Sequence, residues 1–179
     1  VKPLIIVVGV GALGSHFIQF IRNEDAEIKI IDFDRVEQKN ILSQFHGRPS
    51  VGKSKVVGLV QTMNYLFGTK LDHSPHKLTT SNFNELLNRP RGPALVVDCL
   101  DNEPSRKLVQ EFCRSESIPC LHGALAPDGA FGRVVWSDSF VIDSEVGAGA
   151  ATCENGEHLP FIALTSAYLA RSAQVFLKT

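Results

Sequence analysis

Three glycines at positions 9, 11 and 14, two acids at Asp32 and Asp34, two side-chain amides at Asn40 and Gln44, and a lysine at Lys55 follow one another in the amino-terminal part of the chain. Together they supply what a nucleoside phosphate needs: backbone N–H groups that glycine leaves accessible, carboxylates for sugar hydroxyls and a cation for the phosphates. In the run Gly9-Val10-Gly11-Ala12-Leu13-Gly14, the first glycine permits a tight turn and the second lets N–H groups approach a phosphate. The third lets a helix close on the preceding strand. Asp32 lies near the spacing of about 20 residues at which an acid meets a ribose. Farther on, Asp101-Asn102 adds a carboxylate and an amide. The glycine fingerprint alone serves nicotinamide, flavin and adenylylating enzymes alike, so an NAD(P)-dependent oxidoreductase is one reading of it.

These groups must be held by regular elements, and the apolar periodicity supplies them. Residues 4–8 form an apolar run expected as a buried parallel strand, with a helical pattern over 16–21 and a second strand over 28–31. A polar stretch from 35 to 50 is long enough to suggest a functional loop. Beyond it the pattern predicts a helix over 51–67, a strand over 70–76, a short helix over 81–87 and a buried strand over 94–100. A helix over 106–113 follows, with Asn102 as its cap and Pro104 in its first turn. A strand over 118–123, a turn at Pro127-Asp128-Gly129 and a strand over 131–136 read as a hairpin, and a closing amphipathic helix spans 159–177. Alternating strands and helices predict an α/β fold: a Rossmann-like, doubly wound, mostly parallel sheet with a hairpin region and a closing helix near its carboxyl end. Asp101 then falls at the carboxyl end of a strand, the edge at which such sheets bind ligands.

At 179 residues, positions 1–179 are expected to form a single domain, and a first residue other than methionine fits a processed chain or an excerpt of a longer one. A net charge of −1 gives no footprint for nucleic acid, and no apolar run approaches the ~20 residues that span a bilayer. Neither partner is expected. No leader pattern opens the sequence, so cytoplasmic residence is the expectation. The 4 cysteines include no Cys-x-x-Cys pair, so no zinc is predicted. Cys99 and Cys113 sit in apolar patterns as inert thiols. Cys153 lies instead in a segment rich in glycine, alanine and acids, where it reads either as a nucleophile or as a bystander. Glu154 and Glu157 would raise its pKa, and His158 is the nearest base.

The ordered set Gly9-x-Gly11-x-x-Gly14, Asp32-x-Asp34, Asn40, Gln44, Gly52-x-x-Lys55, and Asp98-x-x-Asp101-Asn102 with Arg106 beyond resembles the ThiF/MoeB-type adenylyltransferases. These enzymes activate ubiquitin and ubiquitin-like sulfur carriers. The segments 123–129 and 152–156 are similar to the family's later strand and crossover loop, so the resemblance covers nearly the whole chain. It implies ATP-dependent adenylation of a C-terminal carboxylate on a ubiquitin-like or sulfur-carrier protein or a peptide. It further implies Lys55 on the phosphates, Asp32 on the ribose, Asn40 in polar contact with the nucleotide, Asp101 organising Mg²⁺, and Cys153 as an acyl acceptor. A homodimer or heterodimer is implied as well, although simple packing of the closing helix on the sheet explains the same apolar pattern. The sequence departs from the family at Ser43, where an arginine is usual, and Arg35, Arg48 and Lys53 are the cations nearby. A catalytically weak scaffold or heterodimer module is the alternative that this departure supports.

Overall fold

The computed structural model of the protein describes residues 1–88, 93–142 and 155–179. Strand β1 (Leu4–Val8) leads into α1 (Ala12–Phe20), then β2 (Glu27–Ile31), α2 (Lys55–Phe67), β3 (Asp72–Ser74), α3 (Phe83–Leu87), β4 (Leu95–Asp98), α4 (Glu103–Ser115), β5 (Cys120–Leu125), β6 (Gly132–Trp136) and α5 (Leu159–Leu177). The strands form one six-stranded sheet in the order β3-β2-β1-β4-β5-β6. All neighbours are parallel except β5 and β6, which form the antiparallel hairpin. The chain winds outward in one direction from β1 and in the other from β4, so the switch point, where ligands bind in such sheets, lies between these two strands.

Strand alternation divides the core into two layers. Ile5 and Val7 of β1 face α1, α2 and α5 in a cluster with Phe17, Leu59 and Leu169. Ile6 and Val8 face α3 and α4 in a second cluster with Leu87, Val109 and Phe112. The doubly wound reading of the sequence is therefore correct. On its inner face α5 buries Ile162, Leu169, Ala170 and Ala173, and its Ser166 hydroxyl donates to the Leu13 carbonyl of α1 at 3.2 Å. No helix among the described residues is long and apolar enough to cross a membrane.

Two boundaries differ instructively from the periodicity. Helix α2 begins at Lys55 rather than at 51, because the Gly52 N–H donates to the Val36 carbonyl (2.8 Å), the Val36 N–H to Lys53 (2.9 Å) and the Lys55 N–H to Asp34 (2.8 Å). Those bonds hold 51–54 as a turn against the segment after β2. The strand expected over 70–76 shrinks to Asp72–Ser74, an edge that pairs only with β2. Helix α4 starts as expected: the Asn102 side chain accepts from the Ser105 N–H at 3.0 Å, with proline in the first turn.

Candidate nucleotide site

The three glycines at the carboxyl end of β1 serve different spatial needs. Gly9 has φ +88°, and a Cβ there would lie 2.8 Å from the Cys99 carbonyl oxygen just beyond β4. Its N–H donates to the Ile31 carbonyl at 2.8 Å, tying the turn to β2. A Cβ on Gly14 would sit 1.8 Å from the Gly9 oxygen, so α1 can approach the turn only without a side chain there. At Gly11 the nearest atoms to such a Cβ are the Gln44 Nε2 at 3.9 Å and the Lys55 Nζ at 4.0 Å. The space above Gly11 is thus flanked by an amide and an ammonium. Gly14→Ala is expected to cost more than the roughly 1–3 kcal/mol of stability typical of overpacking, read as a lowered urea midpoint. Gly11→Ala is expected to stay within about 0.5 kcal/mol of the wild type.

Asp32 acts as a strut beneath this turn. Its Oδ2 accepts from the Val10 N–H and its Oδ1 from the Asp34 N–H, each at 2.8 Å. Burial pushes its carboxyl pKa up, and Lys55 and the two N–H donors pull it back. Each oxygen keeps a second lone pair for a further donor. Lys55 is not a solvated helix lysine: its side chain is only 9% exposed, and its Nζ lies 3.2 Å from Asp34 Oδ2. The glycine turn, Asp32, Asp34, Gln44 and Lys55 are therefore brought together as one contact network.

The segment between β2 and α2 forms a strap over the start of α1. Asn40 is buried, its Oδ1 accepting from the Glu37 N–H at 2.8 Å and its carbonyl from the Gln44 N–H at 2.8 Å. Its side-chain oxygen is thus engaged in folding the loop. The Ser43 carbonyl lies 2.8 Å from His16 Nε2, the Phe45 N–H donates to Ser15 Oγ at 2.8 Å, and His46 Nε2 lies 2.8 Å from the Val10 carbonyl. Burial lowers the pKa of both histidines, that of His46 to about 4. Among the cations near Ser43, Arg35 donates to the Gly52 carbonyl at 2.8 Å and Lys53 to Gln61 on α2 at 2.7 Å. Arg48 is exposed.

At the end of β4, Asp101 stands exposed in the loop whose first peptide packs on Gly9, and Asn102 caps α4. Beneath them lies an ionic cluster that the spacing of the sequence does not announce. The fully buried Asp98 accepts from the Leu100 N–H (2.9 Å) through Oδ1, while Oδ2 meets Arg106 Nη1 (3.0 Å) and His122 Nδ1 (2.7 Å). Arg106 also donates to the Leu100 and Gly123 carbonyls. Phe140 stacks on the His122 ring at 4.3 Å. Burial pushes the Cys99 thiol pKa up; Cys113 and Cys120 are buried. Cys153 falls outside the described residues.

Residues 3–159 match the model of the ThiF family. The chain belongs to that family. Among ThiF-family relatives it is 31% identical over 150 residues to the SAMP-activating enzyme E1 of Haloferax volcanii, covering 75% of this chain and 54% of that protein. It is 32% identical over 129 residues to the sulfur carrier protein adenylyltransferase of Thermus thermophilus, covering 69% of this chain and 46% of that protein. The chain thus spans about half the length of these two curated relatives. The E. coli tRNA N6-threonylcarbamoyladenosine dehydratase in complex with AMP superposes with a TM-score of 0.69 at 21% identity, over 98% of this chain and 85% of that one. E. coli MccB with MccA-N7isoASN does so with a TM-score of 0.75 at 17% identity, over 98% and 56%. At these identities the two superpositions establish the shared fold.

Proposed function

We propose that this ThiF-family chain binds ATP and adenylates the C-terminal carboxylate of a ubiquitin-like or sulfur-carrier protein or a peptide. The observation that carries this reading is the space above Gly11, lying at the N-terminus of α1 between Lys55 Nζ and Gln44 Nε2. A helix N-terminus, an ammonium and an amide converging on a position without a side chain suit a phosphate group. The names of the two curated relatives, an activating enzyme and an adenylyltransferase, support the reaction class.

In the reaction, a carboxylate oxygen attacks the α-phosphorus, the bond to the bridging oxygen of pyrophosphate breaks, and an acyl adenylate remains. Negative charge gathers between two anionic groups, and Lys55 is placed to offset it. Asp32, already held by two N–H donors, has lone pairs for the ribose hydroxyls. Asp101 is a single exposed carboxylate at the strand end, which fits Mg²⁺, an ion that takes one or two carboxylates and completes its shell with phosphate oxygens and water. When bound, that ion would neutralise the leaving pyrophosphate. Attack of the Cys153 thiolate on the adenylate, with AMP leaving, is the following step in this reading. The partner is a carrier with an accessible C-terminal glycine, and the exposed row Leu164, Tyr168 and Val175 on α5 supports assembly with a second chain.

A second reading, a non-catalytic half that binds a partner, rests on Ser43, whose position holds no guanidinium. ATP–pyrophosphate exchange with Mg²⁺ and candidate carriers separates the two. Carrier-dependent exchange that falls at least about tenfold in Asp101→Ala supports adenylation. ATP binding without exchange for any carrier favours the non-catalytic half, and binding of NAD(H) without ATP would sink both.

A further inference from the structure

We infer that His46 is a positioning residue for the nucleotide: by holding the Val10 carbonyl it aims the Gly11 N–H at the phosphates. The inference rests on the nucleotide reading above and concerns a residue to which that reading gives no role. The Val10 carbonyl is only an acceptor, so the hydrogen in its 2.8 Å contact must sit on His46 Nε2. In the neutral ring this leaves Nδ1 as an acceptor, and that atom is buried without a hydrogen-bond partner. Leucine or phenylalanine would fill such a site without an orphaned nitrogen, so what the imidazole adds here is one directed N–H.

That direction matters because of peptide geometry. The 10–11 peptide is trans, so its N–H, on Gly11, points opposite to its C=O, on Val10. Fixing the carbonyl on the His46 side turns the Gly11 N–H the other way. The Val10 residue is gripped at both ends, its N–H by Asp32 Oδ2 and its C=O by His46 Nε2. The next peptide is treated alike, since Ser15 Oγ donates to the Gly11 carbonyl at 2.5 Å and so sets the Ala12 N–H. Ser15 Oγ in turn accepts from the Phe45 N–H, one residue before His46, so the strap and the turn orient the donors together.

The test compares His46→Gln, whose amide nitrogen reaches about as far as Nε2, with His46→Asn, which is too short to do so. Titrations of ATP and of adenosine separate phosphate contacts from base and ribose contacts. His46→Gln is expected to bind ATP within about threefold of the wild type, and His46→Asn about tenfold or more weakly, as for loss of a hydrogen bond to a charged group. Both should bind adenosine as the wild type does. Equal ATP affinity in the two variants, or parallel losses of ATP and adenosine, would overturn the role of His46 and leave the nucleotide site standing. Failure of the wild type to bind ATP would overturn both.

Discussion

Lys55→Ala is expected to lower carrier-dependent ATP–pyrophosphate exchange by about 10²–10³-fold, the usual consequence of removing one preorganised charge donor from a transition state. The effect should be large because the ammonium is already in place. With its side chain 9% exposed and its Nζ 3.2 Å from Asp34, Lys55 gives up little freedom on meeting a phosphate. Stability should change little by comparison, since the partner it abandons, Asp34, is 49% exposed and can return to water. Asp34→Asn is therefore the informative control. It loosens the tether but leaves the cation, and a loss of no more than about tenfold is expected. Lys55→Arg should recover only part of the rate, because a planar fork does not reproduce a compact ammonium on a flexible stem. Exchange in Lys55→Ala within a few-fold of the wild type would remove the lysine from the proposed chemistry.

The parts of this site that were legible in the sequence are those in which one residue type answers one local demand. Gly9 and Gly14 could be read because their positions exclude a Cβ, by contacts of 2.8 and 1.8 Å, and only glycine satisfies that. Asn102 was legible because a cap acts within its own turn. The doubly wound sheet followed from apolar runs whose burial depends on composition more than on partners. Asp32 was legible as an acid near the turn, but not as the strut that holds the Val10 N–H, since that bond spans 22 positions. The start of α2 was misplaced because the apolar periodicity continues through residues whose N–H groups the turn after β2 had already claimed. His46 gave no signal at all: a histidine in a polar loop looks solvated until the fold places a carbonyl beside it. The cluster at Asp98 was hidden for the same reason. Arg106 was noticed only for its place in the pattern, and the pairing of Asp98 with His122 is set by the register of β4 on β5.

That register makes Asp98→Ala the substitution with the largest expected cost to folding. The carboxylate is fully buried and serves three donors: the Leu100 N–H, Arg106 and His122. Taking it away leaves the Arg106 guanidinium, itself 9% exposed, without its counter-charge. Breaking a buried pair from one side typically costs about 3–5 kcal/mol. In a chain of this size each kcal/mol moves the melting midpoint by roughly 2–4 °C, so a fall of about 6–20 °C is expected by calorimetry. Asp98→Asn should cost less, since an amide oxygen can still accept from the Leu100 N–H while the charge is lost. Adding Arg106→Met to Asp98→Ala should recover part of the loss, because an apolar chain of similar length leaves no charge stranded in the core. If the double variant were no more stable than Asp98→Ala, the cost would lie in the lost bonds from the Leu100 N–H and His122 rather than in the ion pair. The two origins have different consequences for the site, because Leu100 begins the loop that carries Asp101. A loss through Leu100 should weaken ATP binding in proportion to the slackened loop, whereas a loss of the ion pair alone, with the Arg106 bond to the Leu100 carbonyl kept, should appear as instability with ATP affinity retained in the molecules that remain folded.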